Sequence, residues 1–150
     1  MPSETTVQTW IRLARTYNEA MSNIEQALID NGLPQLGWYD ILLELERAQD
    51  DGLRQFELEH TLLLKQYGVS RLVERIEREG YLRREPCADD KRGKRLIITD
   101  EGKELRRCMW RIYGPRIEES FGQKLTQAQC KDLGVLLGKL VNKTQTSNNA

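Results

Sequence analysis

The chain has 150 residues, a formal net charge of zero, and 39% hydrophobic and 31% charged residues. This balance excludes an intrinsically disordered chain, and it provides no overall positive charge that would by itself indicate a nucleic-acid partner. The longest apolar runs are too short to span a bilayer and the amino terminus is polar, so we expect a cytoplasmic protein without a membrane partner.

The cysteine and histidine content argues against an enzyme and against a metal protein. Cys87, Cys108 and Cys130 lie 21 and 22 residues apart, which fits neither a disulfide framework nor a zinc site, so three reduced thiols are expected. The chain has one histidine and lacks the hydrolase, nucleotide-binding and zinc-peptidase motifs. We therefore predict no catalytic residue, no metal and no cofactor.

Three helices are predicted in the first sixty or so residues. Apolar side chains recur every three or four positions from Thr5 to Ile29, which predicts a long first helix. The same spacing predicts a second helix over Leu36 to Ala48 and a short third one over Gln55 to Leu63. Between these two, Leu53 is expected to make a single-residue strand contact.

A fourth amphipathic helix is followed at once by a predicted hairpin. The helix is predicted over Lys65 to Glu79, with Gly80 as the left-handed residue that ends it. Strands over Tyr81 to Cys87 and over Leu96 to Thr99 enclose a charged turn. A helix beside a basic hairpin is suited to a DNA groove and to the backbone next to it.

Two further helices complete a mainly α fold with one small β-hairpin. Thr99 is the predicted N-cap of the fifth helix, which Pro115 should kink and Gly122 should end. Thr126 opens a capping box for the sixth helix. The first, fifth and sixth helices carry broad apolar stripes, which we expect to pair with those of a second copy in a homodimer. The polar residues 143–150 are predicted to form a flexible tail.

Positive charge is concentrated around the fourth helix and the hairpin. The segment 65–95 holds ten basic and six acidic residues, so it carries +4 and the rest of the chain −4. One side of the helix is left for base edges and phosphates, and an arginine at the hairpin tip suits a narrow minor groove. The expected DNA contacts are Lys65, Gln66, Tyr67, Ser70, Arg71, Arg75, Arg92, Lys94 and Arg95, with Asp90 holding the hairpin loop through an ion pair.

Two stretches of the chain closely resemble the MarR family of bacterial multiple-antibiotic-resistance-type transcriptional regulators: Ser70–Leu82 (SRLVERIEREGYL) and Asp90–Gly102 (DKRGKRLIITDEG). The resemblance includes the D-x-R motif of the hairpin and the T-x-E-G start of the fifth helix. It implies a winged helix-turn-helix over 36–99 and dimerisation helices over 5–30 and 100–142. It also implies a homodimer on a pseudo-palindromic double-stranded DNA operator, usually as a repressor.

The resemblance also bears on a ligand and on one unusual residue. Arg54 stands where the family usually has a small hydroxyl residue opening the third helix, and we count it among the expected DNA contacts. The resemblance also implies that the protein is released from DNA, as is often the case in this family, by a small phenolic ligand or by oxidation. The expected effector contacts, for a phenolic or carboxylated ring, are Trp10, Arg15, Tyr17, Trp38 and Tyr39. The alternative for these aromatic residues is that they pack in the core and the interface and bind no effector. The alternative function for the whole chain is a winged helix that binds protein or RNA and has no operator.

Overall fold

The computed structural model describes residues 1–64, 67–89 and 93–141. In that part of the chain, six α-helices accompany one two-stranded antiparallel sheet, which confirms the predicted fold class. No helix among the described residues is long and apolar enough to cross a membrane. The elements are α1 Glu4–Asp30, α2 Leu36–Ala48, α3 Gln55–Thr61, α4 Val69–Arg78, β1 Leu82–Pro86, β2 Lys94–Ile98, α5 Asp100–Ile117 and α6 Gln127–Gly138.

The chain divides into two compact units. One consists of Asn31–Arg111, which contains α2, α3, α4, the β1–β2 hairpin and the first two thirds of α5. The other consists of Met1–Asp30 and Ile112–Ala150, of which the structure describes the residues up to Val141. The boundary between the units falls inside α5 rather than at its beginning.

The core of the Asn31–Arg111 unit is built around α2. The apolar side chains of α2 are buried together with the inner side of α4 and with three consecutive residues of β2. Each fully buried leucine or isoleucine contributes about 1.5–3 kcal/mol, so this cluster is the main source of stability for the unit. The side chains with the least exposure in this cluster are Leu36, Ile41, Leu42, Leu45, Leu58, Val73, Ile76, Leu96 and Ile97.

A single residue joins the segment before α3 to the hairpin, as predicted. The Leu53 N–H donates to the Leu96 carbonyl at 3.0 Å, and the Leu96 N–H donates to the Leu53 carbonyl at 2.7 Å. Gly52 allows this approach, because its φ is +64° and a Cβ there would lie 2.5 Å from the Leu96 oxygen. The start of α3 is therefore held against β2.

The beginning of α4 differs from the prediction. The helix starts at Val69 and not at Lys65, since Gly68 precedes it in the left-handed conformation with a φ of 70°. A residue in that region cannot continue a right-handed helix, so Tyr67 lies before α4 rather than on it.

The end of α4 agrees with the prediction. Gly80 has a φ of 85°, and its N–H donates to the Glu77 carbonyl at 2.9 Å. The Tyr81 N–H donates to the Ile76 carbonyl at 3.1 Å, which completes a Schellman motif. The chain thus turns directly from α4 into β1.

The hairpin has a regular antiparallel register from Leu82 opposite Ile98 to Pro86 opposite Lys94. β2 begins two residues before the predicted start at Leu96, and β1 is one residue shorter than predicted at each end. After the hairpin, Thr99 caps α5 as predicted, because its Oγ1 accepts a hydrogen bond from the Gly102 N–H at 3.1 Å.

The unit that contains α1 and α6 buries few of its apolar side chains. In α1 the buried residues are Ile24, Ala27 and Leu28, and α6 has none. α5 contains Pro115 and passes at Ile117 into a π-helical turn, Glu118–Gly122. The predicted capping box of α6 is confirmed, since Thr126 and Gln129 exchange side-chain-to-backbone hydrogen bonds of 2.9 and 3.1 Å.

A buried carboxylate holds the chain between α3 and α4. Asp40 of α2 is 4% exposed, and it accepts hydrogen bonds from the N–H groups of Leu63 at 3.2 Å and Leu64 at 2.8 Å. Because these two N–H groups point to Asp40, α3 ends at Thr61 and not at Leu63 as predicted. Burial raises the pKa of Asp40 above its ordinary value, and the two backbone hydrogen bonds oppose that shift.

Asp40→Ala should lower the free energy of unfolding by about 1–2 kcal/mol, because two partly buried N–H groups lose their acceptor while relief of the buried charge offsets part of the loss. Urea denaturation followed by circular dichroism measures the change. Glu74→Ala, at an exposed position of α4 in the same unit, is the control and should stay within about 0.5 kcal/mol of wild type. Equal stability of the wild type and Asp40→Ala would contradict this role.

Candidate nucleic-acid interface

α4 separates apolar and polar residues onto opposite sides, as predicted. Val69, Leu72, Val73 and Ile76 are buried. Since successive residues advance by about 100° around a helix, the polar residues of α4 share the outward side. We call this exposed strip the α4 polar face, and it consists of Ser70, Arg71, Glu74, Arg75 and Arg78.

The amino-terminal end of α4 has a glycine at its cap. Gly68 occupies the N-cap position, and no side chain of the described ranges makes a capping hydrogen bond there. Tyr67 is 87% exposed immediately before it. The N–H groups of a first helical turn carry partial positive charge and lack partners within the helix, so this end can donate to a phosphate oxygen.

An aromatic contact orients one arginine of the α4 polar face. The guanidinium carbon of Arg75 lies 6.0 Å from the ring centroid of Trp38, within the range of a cation–π contact. Trp38 is buried and meets Tyr81 edge to face, with ring centroids 6.1 Å apart. The ring of Trp38 thus contacts both Arg75 of α4 and Tyr81 at the start of the hairpin, and it connects these two elements to α2.

An ion pair joins the hairpin to α4. The Arg84 Nε of β1 lies 3.2 Å from Oε1 of Glu77. Both side chains are partly exposed, so the pair contributes at most about 1 kcal/mol. The pair therefore matters mainly for the position of the hairpin, because it links β1 to α4.

A second group of charges joins the two strands of the hairpin near its turn. Glu85 lies 3.0 Å from both Arg83 Nη2 and Arg95 Nη2, and hydrogen bonds from Arg95 and Arg83 hold its pKa below the ordinary value. Arg95 Nη1 also donates to the Asp51 carbonyl at 3.3 Å. Arg95, which was predicted to contact DNA, therefore has protein partners, while Lys94 beside it is exposed.

Arg54 occupies the N-cap position of α3 with an extended backbone. Its own N–H donates to Oε2 of Glu57 at 3.1 Å, which is one half of a capping box. A guanidinium group has no acceptor, so Arg54 does not complete the other half as a small hydroxyl residue would. The remaining predicted DNA contacts, Lys65, Gln66 and Arg92, and the predicted loop residue Asp90 lie outside the described residues.

The predicted effector residues belong to different units. Trp10, Arg15 and Tyr17 are exposed residues of α1. In the other unit, Trp38 and Tyr39 are buried among aromatic partners. Tyr39 stacks on Trp110 with ring centroids 6.0 Å apart, and burial raises the pKa of Tyr39 although Arg106 opposes that shift. The effector role of these five residues stays a prediction.

The sequence analysis missed several residues that hold the elements of the candidate interface in place. Asp40 had one visible signal, since it is the only charged residue in the apolar stretch 36–43. The pair Arg84–Glu77 had none, because no rule selects one partner among the many charges around it. An ion pair between Arg106 of α5 and Glu46 of α2 was missed for the same reason.

The exposed helix, the supporting helices before it and the hairpin after it define a winged helix-turn-helix protein. The model of the MarR family matches residues 31–93. HTH-type transcriptional regulators of Bacillus cereus (strain ZK / E33L) and Bacillus anthracis are each 33% identical to this chain over 96 residues. The match covers 63% of this chain and about 60% of the length of these curated relatives.

Solved structures share the fold over most of the chain. Sco3205, a MarR family transcriptional regulator from Streptomyces coelicolor in complex with DNA, has a TM-score of 0.83 at 25% identity, covering 93% of this chain and 88% of that one. A MarR mutant from E. coli complexed with operator DNA has a TM-score of 0.78 at 18% identity, covering 92% and 96%. Residues 31–93 therefore match the MarR family, and the chain shares the fold of these MarR family transcriptional regulators.

Proposed function

We propose that this chain is a sequence-specific regulator that binds double-stranded DNA as a homodimer. The observation that carries the proposal is the division of α4, whose apolar side is buried while its polar face is exposed beside the hairpin. A helix of this kind fits the major groove, and its amino-terminal half meets the base edges. The relatives Sco3205 and E. coli MarR, each crystallised with DNA, support the same use of the fold here.

The residues of the α4 polar face receive distinct roles in this proposal. Arg71 reads guanine through two parallel hydrogen bonds, and Ser70 contacts a base edge or the nearest phosphate. Arg75, held over Trp38, contacts phosphate. From the sequence alone, we assign Gln66 to adenine and Lys65 to phosphate. We assign the exposed Tyr67 and Lys94, together with Arg54 and Arg95, to the DNA backbone.

The homodimer is supported by apolar side chains that one chain leaves uncovered. Trp10 on α1 is 66% exposed. Leu136 on α6 is 57% exposed, and Leu140, just beyond the end of α6, is 72% exposed. Apolar surface of this kind on two helices of one unit is typical of a protein interface. A two-fold dimer presents two reading helices, so we expect a pseudo-palindromic operator with half-sites about 34–36 Å apart, one turn of DNA.

The competing function is a winged helix that binds RNA or protein without an operator. Titrating one labelled duplex DNA and the RNA duplex of the same sequence, at several salt concentrations, separates the two. We expect the DNA affinity to fall steeply with salt, because bound phosphates release counterions, and the RNA duplex to bind poorly because its major groove is too narrow for α4. Equal binding of both duplexes, or of neither, would contradict the proposal.

Arg92→Ala should weaken binding to all duplexes alike and lower the salt slope by roughly one unit, because a permanently charged group of the hairpin motif is lost without loss of a base contact. Fluorescence anisotropy at a series of salt concentrations measures both quantities. A change confined to one operator sequence would show that Arg92 reads bases instead. Lys131→Ala, which removes one exposed positive charge from α6 about 140° around the helix from Leu136, is the control and should leave the slope unchanged.

We further propose that the protein is a repressor released by a small phenolic or carboxylated effector. Support comes from α1, where the exposed rings of Trp10 and Tyr17 are seven residues apart and therefore share one side of the helix. An aromatic ligand can stack on these rings. Arg15 lies about 140–160° around α1 from both rings, so its predicted contact with the same ligand has no support from this helix. Operator release by a panel of phenolic acids, compared between wild type and Tyr17→Ala, tests the proposal: release that is identical for both proteins would contradict the assigned role of Tyr17.

A further inference from the structure

The guanidinium group of Arg54 covers Gly93, the residue immediately before β2. A Cβ on Gly93 would lie 3.2 Å from both Cζ and Nη2 of Arg54 and 3.4 Å from Nη1. Because these three distances are nearly equal, the planar group faces the glycine with its flat side. The contact connects the first residue of the α3 capping region to the hairpin, two elements that are 39 residues apart in the chain.

Gly93 is not needed for the backbone conformation. Its φ lies outside the left-handed region in which Gly52, Gly68 and Gly80 are found. An alanine at this position would therefore meet no backbone strain, and the closest atoms that its Cβ would meet in the described part of the chain belong to the guanidinium group. The absence of a side chain at Gly93 thus makes room for Arg54.

Both ends of this contact are held by backbone hydrogen bonds. Arg54 follows Leu53, which exchanges two hydrogen bonds with Leu96 of β2, and its N–H is bound by Glu57. At the other end, the Gly93 carbonyl accepts from the Cys87 N–H at 3.0 Å, directly beyond the last paired residues of the two strands. The side chain of Arg54 therefore reaches from a fixed point to the far end of the hairpin ladder.

We propose that Arg54 is a positioning residue that braces the hairpin at Gly93 and so sets where the hairpin meets DNA. This consequence for binding rests on the proposed function, whereas the bracing itself is a property of the free protein. The proposal explains why an arginine replaces a small hydroxyl residue at this N-cap: its planar group gains a contact with the hairpin where a hydroxyl would only cap α3.

The first test uses the DNA-free protein and follows amide hydrogen exchange at Cys87. In Arg54→Ala we expect exchange at Cys87 to rise about tenfold, because the hairpin end loses its brace. Gly93→Ala should give a smaller rise, since its Cβ displaces the flexible guanidinium group by only a few tenths of an ångström. The Thr99 amide, bound to the Tyr81 carbonyl at the opposite end of the hairpin, should keep its rate.

Arg47→Ala is the matched control, because it removes an exposed arginine from the same unit and should leave both amides unchanged. An unchanged Cys87 rate in Arg54→Ala would overturn the proposal. An equal rise at Cys87 and Thr99 would also overturn it, since that result indicates a general loss of stability and not a local brace.

The second test measures the salt dependence of duplex binding. A phosphate contact alone would lower the salt slope by roughly one unit in Arg54→Ala, whereas loss of the brace also weakens hairpin contacts and should lower it further. Arg54→Lys keeps the charge without the planar group, so we expect only partial recovery of the slope and none of Cys87 protection. Full recovery of both by lysine would overturn the proposal. Failure of the wild type to bind any duplex would count against the proposed function and leave the exchange result to decide on the brace.

Discussion

Leu136→Asp should convert the protein into a monomer and lower its affinity for a two-half-site duplex by about 100-fold or more. Leu136 is 57% exposed on α6, so a charge there is harmless to the single chain. In a homodimer the same side chain becomes buried, and an unpaired carboxylate at an interface is strongly unfavourable. Without the second subunit, each half-site is bound independently. Light scattering after size exclusion gives the mass, and fluorescence anisotropy gives the affinity.

Lys131→Ala is the matched control for this experiment. It changes the net charge by the same amount as Leu136→Asp, and Lys131 is an exposed residue about 140° around α6 from Leu136. The control should remain a dimer and retain most of its affinity. A Leu136→Asp protein that is still a dimer with wild-type affinity would place the dimer interface elsewhere or remove the need for one.

Arg71→Ala should cost about 1–3 kcal/mol of binding free energy and relax the preference for one base pair in each half-site. Arg71 is exposed in the first turn of α4, where a reading helix meets base edges, and its guanidinium group can form two hydrogen bonds to guanine. Affinity for a panel of duplexes, each with one base pair of the half-site changed, measures both effects.

Arg78→Ala provides the comparison, because it removes an equal charge from the last turn of the same helix. It should weaken all duplexes by a similar, smaller factor and leave base preference intact. If Arg71→Ala showed the same uniform loss, Arg71 would be a phosphate contact, and the specificity of α4 would have to reside in its other exposed residues.

The parts of the fold that follow from local periodicity and capping could be predicted from the sequence. The buried side of α4, the Schellman motif at Gly80, and the caps at Thr99 and Thr126 depend on contacts between residues no more than five positions apart. Such interactions leave a pattern in the sequence that helix geometry explains. The strand contact of Leu53 was predicted as well, from its position between a turn and a helix.

The features that were predicted wrongly depend on conformations or partners that local sequence does not specify. Gly68 lies in a stretch whose periodicity suits a helix, and local sequence does not decide whether a glycine there continues the helix or takes the left-handed φ that it has. The early end of α3 depends on Asp40, 23 and 24 residues before the N–H groups that it binds. The start of β2 at Lys94 likewise depends on pairing with β1.

The candidate site divides in the same way. The exposure of Ser70, Arg71 and Arg75 follows from the helical pattern and was predicted correctly. The engagement of Arg95 with Glu85 and Asp51, and the position of Arg54 over Gly93, arise only when distant segments meet. Sequence reasoning therefore identified basic residues near the hairpin, and the structure distinguishes those that face solvent from those that hold the hairpin in place.

Selection of bound duplexes from a random pool by the wild-type protein tests the central claim most directly. Two linked reading helices should enrich a site of two inverted half-sites whose centres lie about one helical turn apart. Removing either half of the enriched site should reduce binding sharply. Enrichment of a single asymmetric site, or recovery of a pool as random as the starting one, would contradict the account.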